Sequence, residues 1–141
     1  MNRRRFILTG GLLVAAPWLP ARATPDAVAE AIHAVTGGVP LQPGRVRLDL
    51  PAMVENGNAV GMTVGMDDPA ASVRSLHVFA DGNPLPNVLH ATFGPAAFRP
   101  QLATRIRLAN NQTVHAVAIL PDGTCWTASV DLVVTLAACL E

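Results

Sequence analysis

From Thr124 to Leu136 the chain alternates with a period of two. Ala128, Val130, Leu132, Val134 and Leu136 share one face, and Thr127, Ser129, Asp131 and Thr135 share the other. Successive side chains of a strand point to opposite faces, so this pattern describes a long strand with one face against a core. The same period recurs upstream. Val46, Leu48 and Leu50 alternate with Arg47 and Asp49, and Val60, Met62, Val64 and Met66 line one face of the next run. Leu102 to Leu108 turns Ile106 and Leu108 inward and Arg105 and Arg107 outward, while Ser75 to Ala80, Val88 to Phe93 and Thr113 to Leu120 are shorter candidates. Turn chemistry separates them, as in Asp81-Gly82-Asn83-Pro84-Leu85-Pro86, Asn110-Asn111-Gln112 and Pro121-Asp122-Gly123. About seven short strands in one chain of 141 residues give an all-β fold. The expected architecture is an immunoglobulin-like antiparallel β-sandwich with a protruding C-terminal tail.

One helix precedes the strands. Thr24-Pro25-Asp26 supplies a capping hydroxyl, a proline for the first helical position and an acid for the first turn. Val28, Ala31, Ile32 and Val35 follow at helical spacing, and Gly37-Gly38 ends the run. The domain therefore spans residues 24–136, with no internal repeat or linker.

Residues 1–23 have the three zones of an export signal: Arg3-Arg4-Arg5, an apolar run from Phe6 to Ala16, and a small-x-small end at Ala21-Arg22-Ala23. Two arginines ahead of Phe6 fit the twin-arginine type, and cleavage is expected after Ala23. The apolar run is too short to span a bilayer, so the mature protein is expected in the periplasm with no membrane attachment. Removing the leader changes the electrostatics. All ten basic residues are arginines, and the six that remain face ten acids, for a net charge of −4. Such a domain offers no footprint for nucleic acid.

Chemistry is sparse. His33, His77, His90 and His115 have no metal-ligand spacing, and Met62 and Met66 share a face with Val60 and Val64, as core residues do. A copper site built from histidine and the methionines Met53, Met62 and Met66 is the metal-binding alternative. No nucleophile elbow, zinc helix or phosphate loop occurs, so neither an active site nor a cofactor is expected. Two cysteines remain. A strand joining them would hold Cys125 and Cys139 roughly 45 Å apart, far beyond the ~7 Å between Cα atoms that a disulfide allows. Cys125 then reads as a half-buried core thiol beside Trp126, and Cys139 as an exposed thiol beyond the fold.

A cysteine third from the chain end, an export signal and an all-β domain together resemble the SoxY family, sulfur-carrier subunits of a periplasmic thiosulfate-oxidising system. Leu48-Asp49-Leu50-Pro51, Glu55-Asn56-Gly57-Asn58, His77-Val78-Phe79-Ala80-Asp81-Gly82-Asn83-Pro84 and Thr104-Arg105-Ile106-Arg107-Leu108-Ala109 resemble that family in order and spacing. The resemblance implies a heterodimer with a SoxZ-like sandwich. It also implies covalent attachment of sulfur intermediates at Cys139 and their presentation to separate periplasmic sulfur-oxidation enzymes. The carrier itself turns nothing over.

The family's cysteine sits in a Gly-Gly-Cys-Gly-Gly arm. Here residues 137–141 read Ala137-Ala138-Cys139-Leu140-Glu141. Alanine restricts a backbone that glycine leaves free. Glu141 adds its side chain and the chain terminus, two carboxylates that would repel a thiosulfate dianion. An exported subunit that pairs with a SoxZ-like partner without carrying sulfur is therefore the main alternative.

Overall fold

The computed structural model describes residues 24–139. The export leader, its cleavage point and the Leu140–Glu141 end of the arm lie outside the described residues. Helix α1 spans Pro25–Thr36, with the Thr24 hydroxyl accepting from Ala27 N–H at 3.2 Å. Gly37 closes it at φ 65°, the left-handed conformation that glycine adopts without steric cost. Nine strands follow: β1 Leu41–Pro43, β2 Val46–Asp49, β3 Met53–Asn56, β4 Val60–Met66, β5 Ser75–Ala80, β6 Asn87–Thr92, β7 Gln101–Ile106, β8 Gln112–Ile119 and β9 Cys125–Leu136. One sheet runs β1-β9-β8-β5-β6 with β3 also paired to β9, and the second runs β2-β4-β7. The two sheets face each other as a sandwich.

The seven strands read from the alternation are all present within a residue or two of their expected limits. The two additional strands, β1 and β3, pair parallel with opposite ends of β9, at Leu41↔Cys125 and Met53↔Val133. The sandwich is thus antiparallel in its long ladders and parallel in two short ones. Strands of three and four residues carry too little periodicity to be seen alone, and their pairing exists only once β9 is in place.

Between the sheets lie Leu48 of β2, Met62, Val64 and Met66 of β4, Leu76 and Val78 of β5, and Val114 and Ala116 of β8. Both methionines of β4 are core residues, as their strand face implies. Strand β5 is buried on both faces. Its Leu76, Val78 and Ala80 enter the central core, whereas Phe79 packs with Val117 and Val28 beneath α1. The helix covers the outer face of the larger sheet.

That layering corrects the expected setting of Cys125. The thiol is fully rather than half buried, at 1% exposure. Trp126 packs against the core between the sheets, where Arg45 stacks over its ring at 5.0 Å. Cys125, its neighbour on the strand, points to the opposite face.

Candidate functional site: the end of the sandwich that carries Cys139

Strand β9 rises about 3.3 Å per residue, so its 12 residues hold the two thiols at opposite ends of a strand roughly 40 Å long. Both cysteines are free, Cys125 buried and Cys139 exposed. Burial pushes the Cys125 thiol up from its ordinary pKa, with Arg74 pulling weakly the other way. Cys125 is therefore inert packing, and Cys139 is the accessible nucleophile among the described residues.

Cys139 does not hang from a loose tail. Three backbone hydrogen bonds carry the chain past the end of β9: Gly57 N–H donates to the Leu136 carbonyl at 2.7 Å, Leu108 N–H to the Gly57 carbonyl at 2.9 Å, and Ala138 N–H to the Leu108 carbonyl at 3.1 Å. Ala138 is 8% exposed. A fourth bond runs from Cys139 N–H to Asn58 Oδ1 at 3.3 Å. The turn between β3 and β4, the segment after β7 and the C-terminal tail thus cross at one point.

Gly57 makes the crossing possible. A Cβ there would lie 2.3 Å from the Leu108 carbonyl oxygen and 2.9 Å from Ala138 N, both backbone atoms. No larger residue fits without parting the three segments.

A polar knot holds the Leu108 segment in turn. Asn83 Nδ2 donates to the Arg107 carbonyl at 2.8 Å, and Ala109 N–H donates to Asn83 Oδ1 at 3.0 Å. Gln112 Nε2 bonds Asn83 Oδ1 and the Asn110 carbonyl, and its Oε1 accepts from Gly82 N–H. Asp81 Oδ1 accepts from Thr113 N–H at 2.8 Å. Buried polar side chains of this kind fix a loop because each has its partners. Asn111 adds an outer brace, its Oδ1 accepting from Val134 N–H at 2.8 Å.

The stretches Glu55–Asn58, Asp81–Pro84 and Thr104–Ala109, far apart in sequence, therefore meet at the end of the sandwich from which Cys139 emerges. The sequence matches the family of the sulfur oxidation protein SoxY over residues 32–139. The chain belongs to the SoxY family. No curated protein matches it in sequence. Among solved structures it is similar to the sulfur carrier protein SoxY from Chlorobium limicola f thiosulfatophilum. That likeness has 25% identity and a TM-score of 0.66, covering 77% of this chain and 96% of that one. A superoxide reductase (neelaredoxin) from Ignicoccus hospitalis shares the fold at 16% identity and a TM-score of 0.56, covering 81% of this chain and 95% of that one.

Within this SoxY-family domain the other candidate residues are dispersed. His33 lies in the last turn of α1, and His115 is half-buried on β8. Met53 is exposed on β3, away from the core methionines. Among the described residues no three His, Cys, Asp or Glu side chains come together. His77 and His90 do meet, as a cross-strand pair stacked at 4.4 Å between ring centroids. His77 is buried, with Nε2 3.2 Å from Ser75 Oγ and Nδ1 without a hydrogen-bond partner.

Burial first, and His90 second, lower the His77 pKa below its ordinary value of 6.5. The unfolded chain then binds the proton more readily than the folded one, so stability rises with pH up to about 6.5 and falls as pH drops below it. Melting temperature should therefore decline on acidification from pH 7 to 5, and His77→Gln should flatten that slope. An unchanged slope in the variant would remove His77 as the cause.

The residues that sequence reasoning missed are Gly57, Asn58, Leu108 and Ala138 as parts of one junction. Three of them lay inside motifs quoted for the family resemblance, but Gly57, Leu108 and Ala138 act through backbone hydrogen bonds, which leave no trace in side-chain type. Asn56-Gly57-Asn58 reads locally as an ordinary turn.

Proposed function

We propose that this chain is a SoxY-type sulfur carrier that holds sulfur intermediates covalently on Cys139 Sγ. It would do so in the periplasm after twin-arginine export, paired with a SoxZ-like subunit and serving separate sulfur-oxidation enzymes. One observation carries the reading: the exposed thiol sits at the braced end of a SoxY-family domain, while the second thiol is sealed at the far end. The likeness to the sulfur carrier protein SoxY from Chlorobium limicola f thiosulfatophilum supports it.

The chemistry asked of the chain is small. A Cys139 thiolate and the outer sulfur of thiosulfate form an S–S bond with loss of two electrons, which a separate redox enzyme must accept. Hydrolysis of the S–SO₃ linkage then releases sulfate and leaves sulfane sulfur on Cys139. The carrier contributes the nucleophile and the position from which it is offered, and catalyses neither step.

Intact mass measurement after incubation with thiosulfate and a sulfur-oxidation enzyme set tests this. Adducts of thiosulfonate or sulfane mass should appear on wild-type protein and be absent from Cys139→Ser. Adduct on Cys125, or none at all, would overturn the proposal. The second reading, an interaction subunit that carries no sulfur, draws on Ala138, whose buried methyl shortens the arm by two residues. Heterodimer formation without any adduct would favour it.

A further inference from the structure

The resting position of Cys139 is set by one side chain. Asn58 Oδ1 accepts the Cys139 N–H at 3.3 Å, across 81 positions of sequence. Asn58 is itself held. Its backbone N–H and its Nδ2 both donate to Asn56 Oδ1 at 3.0 Å, so the carboxamide is fixed with its oxygen toward the tail. Ala138, one residue earlier, is buried and bonded to Leu108, whereas Cys139 is exposed. Among the described residues, the bond from Cys139 to Asn58 is the last that ties the tail to the sandwich.

We propose that Asn58 is the latch of the carrier arm: a positioning residue that docks Cys139 against the sandwich and releases it for delivery. The proposal rests on the carrier reading above. A docked Cys139 can extend only a few ångströms from Ala138, since consecutive Cα atoms are about 3.8 Å apart. An enzyme whose reacting centre is recessed needs more reach, and the chain gains reach only by breaking the Asn58 and Leu108 bonds in order. Asn58 comes first. Its hydrogen bond lies at the surface, where the net worth of such a bond is modest, so the docked form prevails yet opens readily. Undocking then enters the apparent loading rate as the fraction of open arm.

Three forms of the protein with its SoxZ-like partner test this: wild type, Asn58→Ala, and Asn58→Asp, which keeps an acceptor oxygen. Asn58→Ala should speed hydrogen exchange at the Cys139 amide by about 3- to 10-fold and raise enzymatic loading of Cys139 by a similar factor. Alkylation by iodoacetamide, small enough to reach the docked thiol, should be unchanged, and the melting temperature should fall by no more than roughly 5 °C. Asn58→Asp should restore slow exchange. Sulfur adducts on wild type with identical exchange and loading in Asn58→Ala would overturn the latch alone. Absence of any adduct on wild-type Cys139 would overturn the carrier reading, and the latch as a device of carriage with it, whatever the exchange rates.

Discussion

Gly57→Ala should cost at least about 3 kcal/mol of folding stability and lower the melting temperature by roughly 10 °C or more. The added methyl would sit 2.3 Å from the Leu108 carbonyl oxygen and 2.9 Å from Ala138 N, and neither is a side chain that can rotate away. Relief requires moving the backbone of the β3–β4 turn, the segment after β7 or the tail. Each route stretches at least one of the bonds that Gly57, Leu108 and Ala138 make with one another. Losing a buried backbone bond leaves a donor or acceptor unsatisfied, at about 1–3 kcal/mol each. Gly61→Ala is the control. Its Cβ meets nothing within 4 Å on the exposed face of β4, so it should be neutral or slightly stabilising through the unfolded chain. Equal melting temperatures for the two variants would refute the account of the crossing. In Gly57→Ala the Cys139 amide should also exchange faster, because the tail is bonded to the residue that is pushed.

The sandwich was legible because its long strands carry the signal themselves. Val60, Met62, Val64 and Met66 are buried because alternation put them on one face, and the same rule found β9. The helix was legible from Thr24, Pro25 and Gly37, whose roles at its two ends are local chemistry. Strands β1 and β3 escaped because a three-residue Leu41–Pro43 and a four-residue Met53–Asn56 have no periodicity of their own, only a partner in β9. The exposure of Cys139 followed from counting residues beyond the last alternating position. The burial of Ala138 did not. It depends on Leu108 and Gly57 arriving from 30 and 81 residues away, and nothing in an Ala-Ala dipeptide announces such partners. Alanine in place of the glycines that the resemblance implies reads differently in that light. At position 138 alanine supplies a methyl that is almost wholly buried, so the side chain stiffens the arm by packing as well as by narrowing its backbone freedom.

Thiol labelling should separate the two cysteines by about three orders of magnitude or more. Cys139 is exposed and should react with iodoacetamide at the rate of an unhindered thiol. Cys125 is 1% exposed, and its strand is paired on one side with β1 at Leu41 and on the other with β8 at Ile119. Reagent can reach it only when that three-strand region opens. An opening free energy of only about 4 kcal/mol, near the low end of global stability, corresponds to roughly a thousandfold protection. The upward shift that burial imposes on the Cys125 thiol slows it further, because the thiolate is the reacting form. One equivalent should therefore be taken up promptly by reduced native protein, mapped to Cys139, and the second only in denaturant. Comparable rates at both sites, or a disulfide joining them, would overturn the assignment of separate roles. A protected Cys139 with a reactive Cys125 would reverse it and move the search for the sulfur-bearing atom to the opposite end of the sandwich.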